Sequence, residues 1–174
     1  RNKLLQMARG EYIAIFDHDD ICLPERLEKQ VRHLDEHPET GVVGSWAEVF
    51  PATRIISFPT EDYAIKKAMT HECVMIHPAA MLRKSVLEQN RICYEEVFSP
   101  AEDYRLWLRL MEFTQFHNIP EILFKYRLHE TNTSKQQSTK MGNAHHRLVQ
   151  YAHTKYQELH QAYLSECIHT RTIS

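Results

Sequence analysis

The sequence has few glycines, no long apolar run and no excess of basic residues. Glycine accounts for only 4 of the 174 residues, and none of them forms a glycine-rich phosphate loop. The apolar runs are short and strand-like, and none approaches the length of a membrane span. Lysine plus arginine number 21 against 23 for aspartate plus glutamate, so the formal net charge is −2. The composition therefore predicts no nucleic-acid partner, because such proteins normally carry a basic face.

The cysteines form no pattern typical of a disulfide framework or a metal site. They are widely spaced, without a C-x-x-C pair, at Cys22, Cys73, Cys93 and Cys167. This spacing favours reduced thiols in a cytoplasmic protein, and peripheral attachment to a membrane is left open. The chain begins at Arg1 without a methionine and runs at once into sequence typical of regular structure. We therefore expect a fragment of a longer chain.

The first half of the sequence alternates between helical and extended patterns. We expect helix 3–9, strand 11–16, helix 24–38 and strand 41–50. The strand over 11–16 is β-branched and aromatic, which predicts a buried position. The second helix has an apolar stripe at Leu27, Val31 and Leu34. This alternation with short connections predicts an α/β fold.

The second half adds helices and one more extended region. We expect a short helix over 61–70, an extended pair over 119–128 broken at Pro120, and a long amphipathic helix over 138–166. Ser99 as N-cap and Glu102 at the third helical position predict a capping box that opens another helix. The domain boundaries are predicted as 1–134 and a helical extension over 135–174. The stripe of the last helix needs a surface to cover, either this domain or a second subunit.

An acidic turn follows the first predicted strand. Asp17, His18, Asp19 and Asp20 lie where ligands bind in α/β folds, at the carboxyl end of a strand. Three carboxylates so close together repel one another unless a cation or hydrogen-bond donors offset their charge. The alternative interpretation is a polar loop in which Asp20 caps the next turn. The turn therefore indicates either a divalent-cation site or a structural loop.

Two further groups of polar residues could take part in chemistry. Asp103 lies in the first turn of the predicted helix, whose dipole would favour its ionised form, so it could act as a general base. His129 ends a predicted strand, and imidazole is a competent ligand for Mn²⁺. His77, before a proline, could face a cleft. Each of these residues would equally suit a purely structural position.

Taken together, four ordered segments resemble glycosyltransferase family 2 with the GT-A fold, over roughly residues 1–134. The first segment leads into that family's D-x-D motif, the second lies in mid-domain, the third is its acidic E-D pair, and the fourth is its tail motif. In this chain they are Arg1-Asn2, Ala8 to Ala14, Asp17 to Asp20 and Leu23-Pro24; His77-Pro78 and Met81 to Lys84; Glu102-Asp103; and Tyr126-Arg127, His129 and Ser134.

The resemblance implies a GT-A-like, Rossmann-like mixed sheet flanked by helices, and a metal-dependent, inverting transfer. Its partners would be a nucleotide-diphosphate sugar and a carbohydrate or glycan acceptor. Asp19 would ligate Mn²⁺ or Mg²⁺ at the diphosphate, Asp17 would reach the ribose or help to hold the metal, and His129 would be a further ligand. Asp103 would be the catalytic base. We place Glu102, His77 and Trp107 on the acceptor side.

The chain departs from the family pattern at its start. The family's opening strand and helix, which hold the nucleobase, have no counterpart here, so we expect an N-terminally truncated domain. One alternative function is therefore a non-catalytic, glycosyltransferase-like fragment or assembly module. Another is a metal-dependent phosphohydrolase, although no nucleophile for it is found. A sheet edge exposed by truncation, or the C-terminal helix, would invite a homo-oligomer.

Overall fold

The computed structural model describes residues 1–129 and 137–172, with side chains described up to residue 167. Within these residues there are six strands, seven α-helices and two 3-10 helices. The strands are β1 (Tyr12–Ala14), β2 (Ile21–Cys22), β3 (Thr40–Phe50), β4 (Arg54–Ile56), β5 (Met81–Arg83) and β6 (Gln115–Arg127). The α-helices are α1 (Asn2–Met7), α2 (Arg26–Glu36), α3 (Asp62–Ala68), α4 (Lys84–Gln89), α5 (Glu102–Leu110), α6 (Ser138–Lys155) and α7 (Gln157–Thr172). The 3-10 helices are His77–Ala79 and Glu96–Phe98.

The strands form one mixed sheet in the order β1-β5-β3-β6-β2, with β4 also paired to β3. β3 and β6 run parallel to each other, while the other pairings are antiparallel. The predicted break at Pro120 is a local irregularity within the single strand β6. There the register moves from Ser45 opposite Ile119 to Trp46 opposite Ile122. Proline has no N–H for the ladder, so the chain bulges without ending the strand.

The main core lies between the sheet and helices that include α3, α5 and α6. Trp107 of α5 and Phe116 of β6 are buried there, and their rings meet edge to face with centroids 6.5 Å apart. Helix α6 adds Ala144, Leu148 and Ala152 to the same core. The apolar stripe of the C-terminal region therefore covers this domain. No helix in the described part of the chain is long and apolar enough to cross a membrane.

Helix α2 buries Leu34 of its predicted apolar stripe, with Val31 packed beside it, but it also buries two polar side chains. Leu27 is 48% exposed, whereas Arg26 and Gln30 are almost completely buried. The Arg26 guanidinium donates hydrogen bonds to the carbonyl oxygens of Ile15 at 2.8 Å and Ala80 at 3.1 Å. Backbone carbonyls buried at strand ends need donors. Burial on this helix is therefore decided by hydrogen bonding as much as by hydrophobicity.

Strand β1 is shorter and more exposed than the strand predicted over 11–16. None of its three residues is buried, and it pairs with β5 alone among the described residues. At this edge position its side chains are only partly covered, so the prediction of a buried strand is wrong. The preceding helix also ends early, at Met7 instead of residue 9. Pairing of a second copy with an exposed edge of the sheet stays a prediction.

The predicted capping box is absent from the start of α5. The helix begins at Glu102 with Ala101 as its N-cap and no side-chain cap. Ser99 lies outside the helix, because its N–H closes the preceding 3-10 turn by donating to Glu96 O at 3.0 Å. Glu102 is therefore the first helical residue, which leaves its carboxylate available for contacts outside the helix.

The long helix predicted over 138–166 is two helices that meet at Tyr156. This residue has φ −117° and ψ 53°, which is not helical. Its hydroxyl donates to Leu108 O at 2.5 Å and lies 3.1 Å from Glu112 Oε1. Anchoring Tyr156 to the end of α5 turns the chain, so α7 packs beside α3, where Lys67 pairs with Glu166. A long-range contact that sequence periodicity cannot detect therefore ends α6.

Candidate functional site

A cavity of about 920 Å³ opens beside the ends of β1 and β6 and the start of α5. It collects segments from the two ends and the middle of the sequence. Its lining includes nearly all of the predicted site residues together with several that were not predicted. The predicted ones are Asp17, Asp19, His77, Glu102, Asp103 and His129. Ser134 of the tail motif lies outside the described residues.

The acidic turn is held against the end of β6. Asp20 N–H donates to Asp17 O at 3.2 Å, which closes the turn, and β2 then pairs with β6. Asp19 Oδ2 lies 2.7 Å from His129 Nε2, and Arg127 Nε donates to Asp19 O at 2.6 Å. The hydrogen bond from His129 lowers the pKa of Asp19. Asp19 and His129, which are far apart in sequence, thus bring together one oxygen and one nitrogen that could both bind a metal ion.

Asp20 was predicted only as a residue that could cap the next turn in a structural loop, and not as a ligand. It is 8% exposed, and its Oδ1 accepts the Arg127 N–H at 2.7 Å. Its Oδ2 is buried and has no hydrogen-bond partner among the described residues. Burial raises the pKa of Asp20 to about 6. A buried carboxylate oxygen without a donor indicates a place where a cation or a proton would be stabilising.

Asp17 faces the cavity in a less polar setting than Asp19. Burial raises its pKa, the charge of Arg1 opposes that effect, and the charge of Asp19 adds to it. The pKa of Asp17 is therefore raised and that of Asp19 is lowered, although both residues line the same cavity. Because Asp17 lacks the histidine partner that Asp19 has, it is the weaker candidate for a permanently ionised ligand.

Asp103 and Glu102 also line the cavity, from the first turn of α5. Asp103 Oδ1 accepts the Tyr104 N–H at 2.8 Å. Burial is the dominant influence and raises the pKa of Asp103, so the expectation that the helix start would favour its ionised form is reversed. Glu102 Oε1 pairs with the Arg1 guanidinium at 2.8 Å. A carboxyl with a raised pKa is a stronger proton acceptor once ionised.

His77 lines the cavity as a buried, neutral side chain. It is 5% exposed, and its Nε2 lies 2.8 Å from the hydroxyl of Tyr94. Burial lowers the pKa of His77 to about 3. Tyr94 is held in turn by Asn2, whose side chain exchanges two 2.9 Å hydrogen bonds with its backbone. Asn2 belongs to the first segment of the family resemblance, but neither its contact with Tyr94 nor a role for Tyr94 was predicted, because their pairing spans 92 positions.

Trp107 does not belong to this site, contrary to the prediction. It is completely buried and is not among the residues that line the cavity. Its ring lies beneath His77, with centroids 5.9 Å apart. Since α5 turns its first residues to the cavity and this later one to the core, Trp107 can only support the site from below.

The donor set fits a hard or borderline divalent cation that shares its shell with a ligand. Asp19 and His129 supply an oxygen and a nitrogen 2.7 Å apart, and Mn²⁺ accepts both kinds of atom. The described part of the chain brings no three ligand atoms together at this turn. A cation held by two protein atoms completes its shell with phosphate oxygens and water, as Mg²⁺ commonly does.

Comparisons with known proteins show the family of the chain. The family model for glycosyl transferase family 2 matches residues 1–91. An uncharacterised glycosyltransferase of Methanocaldococcus jannaschii is 36% identical in an alignment of 134 residues that covers 74% of this chain and 46% of that protein. The amylovoran biosynthesis glycosyltransferase AmsE of Erwinia amylovora is 30% identical over 72% of this chain and 48% of its own length. The chain thus spans about half the length of the curated relatives it matches.

A solved structure extends the similarity to the fold. S. aureus TarS 1-349 in complex with UDP-GlcNAc superposes with a TM-score of 0.62 at 18% identity. The match covers 75% of this chain and 38% of that one. It confirms the predicted GT-A-like mixed sheet flanked by helices.

Proposed function

The chain belongs to glycosyl transferase family 2, and we propose that it takes part in transferring a sugar from a nucleotide-diphosphate sugar to an acceptor hydroxyl, with a divalent cation and inversion at the anomeric carbon. The observation that carries this proposal is the single cavity shared by Asp19, His129 and Asp103. A sugar bound between them would have its diphosphate toward the acidic turn. Its anomeric carbon would then lie toward α5.

The donor side of the cavity suits a nucleoside diphosphate. Asp19 and His129 are the residues that would hold Mn²⁺ or Mg²⁺, and Asp17 would support them or reach the ribose. When bound, the cation would supply charge stabilisation to the departing diphosphate. TarS has been solved with UDP-GlcNAc, and for this reason UDP is the first nucleotide to test with this chain.

The acceptor side of the cavity suits general-base catalysis by Asp103. The acceptor oxygen forms a bond to the anomeric carbon as the bond from that carbon to the phosphate oxygen breaks, and the hydroxyl proton passes to the Asp103 carboxylate. Attack from the face opposite the leaving group inverts the configuration. Burial raises the pKa of Asp103, which strengthens it as a base above that pKa. Glu102, paired with Arg1, and neutral His77 would position the acceptor.

Titration of Mn²⁺ into the chain, with and without UDP, tests the donor side. We expect metal binding to tighten in the presence of UDP, and this tightening to be lost in Asp19→Ala. Glu36→Ala removes an exposed acidic residue elsewhere and should behave as wild type. Circular dichroism checks that both variants are folded.

Two results would contradict the proposal. Wild-type binding that does not respond to UDP would favour a non-catalytic glycosyltransferase-like module. Release of free phosphate from simple phosphate esters would favour a phosphohydrolase using the same acidic turn.

A further inference from the structure

Three histidines from separate helical segments meet on the side of the molecule where α7 packs. His71 follows α3, His153 lies in the last turn of α6, and His160 lies in the first turn of α7. One ligand nitrogen from each lies within 4.8 Å of the other two. No other set of three histidine, cysteine or acidic side chains in the described part of the chain does this. None of the three lines the large cavity.

The contacts within this histidine cluster are close. His71 Nε2 and His160 Nδ1 are 3.0 Å apart, and the rings of His153 and His160 stack with centroids 3.7 Å apart. His153 Nε2 is buried and has no hydrogen-bond partner in the described structure. His71 and His160 can hydrogen-bond each other, whereas the buried Nε2 of His153 beside them has no partner, and such a buried polar atom calls for an additional ligand such as an ion.

For His71 and His153, the surroundings favour the neutral form that binds metals. Burial, followed by the charges of the other histidines, lowers the pKa of His71 and of His153. Neutral imidazole is the ligand form, because a protonated ring has no lone pair to donate. His153 also makes a hydrogen bond with the backbone of Thr70. Such a bond fixes ring orientation in many metal sites.

We propose that His71, His153 and His160 bind a zinc ion. In a tetrahedral site with zinc–nitrogen bonds of about 2.0–2.1 Å, ligand nitrogens are about 3.3 Å apart. The 3.0 Å pair is near that spacing, and the remaining nitrogen lies within 4.8 Å of both. Rotation of the stacked rings would direct their lone pairs to one point. Water would take the fourth position.

The position of the cluster indicates what the ion would do. His153 and His160 flank the break at Tyr156, and His71 belongs to the segment after α3. The ion would therefore join both sides of the break to the body of the domain. The Lys67–Glu166 ion pair joins α3 to α7 nearby, and Tyr163 stacks on His71 with centroids 3.8 Å apart. Zinc would fix the packing of α7, a role independent of the sugar-transfer site.

A second stack of histidine rings lacks the feature that predicts a zinc site, which is three ligand nitrogens close together. His33 lies 4.5 Å from His37 and 4.1 Å from His117 between ring centroids. Its nitrogens do not converge as a set of three. We expect no zinc site at that stack.

Zinc titration of the metal-free chain tests the proposal. All measurements use the Asp19→Ala background, which removes the cation site proposed for the cavity. We expect one zinc per chain, with affinity weakened by more than about 100-fold in His153→Gln and in His160→Gln. Mutating a residue that only hydrogen-bonds a metal ligand already lowers metal affinity by about 10- to 100-fold, and losing a ligand should cost more. His146→Gln, an exposed residue on the same helix as His153, should bind as the parent does.

A second measurement keeps the test independent of variant stability. Co²⁺ added to the parent chain should give the intense visible absorption of a four-coordinate, nitrogen-rich site, and zinc should displace it. Zinc should also raise Tm in the parent. Failure to bind zinc, or unchanged affinity in both glutamine variants, would overturn the proposal. A pale, six-coordinate cobalt spectrum would overturn it as well.

Discussion

The buried His77 predicts a specific dependence of stability on pH. Its pKa is lowered by burial from 6.5 to about 3 in the folded chain, whereas in the unfolded chain it is ordinary. Between these values the unfolded state binds the proton and the native state does not. The native state is therefore increasingly disfavoured as pH falls below about 6.5. The effect is complete near pH 3.

The magnitude follows from the size of the shift. At about 1.4 kcal/mol per pKa unit, a drop from pH 6.5 to pH 4 removes about 3 kcal/mol of unfolding free energy through His77 alone. His77→Gln removes the titration while its amide can still reach the hydroxyl of Tyr94. The variant should lack that 3 kcal/mol component, so its free energy of unfolding should fall less steeply in acid than that of wild type.

Urea denaturation at several pH values, followed by tryptophan fluorescence, measures this difference. Carboxylates titrate in the same range, and for this reason the quantity of interest is the difference between wild type and variant. His146→Gln serves as the control, because this exposed histidine should leave the wild-type slope unchanged. Parallel slopes for wild type and His77→Gln would refute the inference that His77 is neutral and buried.

The remaining predictions concern catalysis and the two tertiary anchors. Asp103→Asn should leave UDP binding intact and abolish sugar transfer in a transfer-competent protein, measured by product formation. Loss of UDP binding would instead make Asp103 structural. Tyr156→Phe should cost about 1–2 kcal/mol in urea denaturation through the lost bond to Leu108 O, and an unchanged midpoint would show that this bond does not hold the break. Arg26→Met removes the guanidinium donor to the buried Ile15 O and one of the two donors to Ala80 O, and should cost about 2–5 kcal/mol. Arg32→Met, at an exposed position of the same helix, should cost less than about 0.5 kcal/mol, and equal losses would contradict the burial argument.

The sequence was informative about local structure and about residue types at strand ends. The strand over 41–50 and the helix over 61–70 were found close to their observed bounds, because apolar periodicity and nearby turn residues decide them. The acidic turn followed its strand as predicted. Asp103 and His129 were selected by their chemistry and by the resemblance to the family, and the structure places both at the same cavity.

The errors share one physical origin, which is that contacts across the chain override local pattern. Leu27 was expected in the buried stripe of its helix, yet it is exposed and its neighbour Arg26 is buried, because Arg26 donates to the carbonyls of Ile15 and Ala80. Tyr156 interrupts a helix whose periodicity continues, because its hydroxyl is held by α5. Trp107 was placed beside the acceptor, whereas the rotation of α5 turns it into the core.

The sequence by itself determined which chemical groups are available: three carboxylates in one turn, a carboxylate pair at 102–103 and an unusual number of histidines. Only the tertiary structure decided which of them meet and in what protonation state. Asp19 and Asp17 are the same residue type two positions apart, yet their pKa values move in opposite directions. The cause is the distance to His129 and the depth of burial, both of which depend on how distant segments pack.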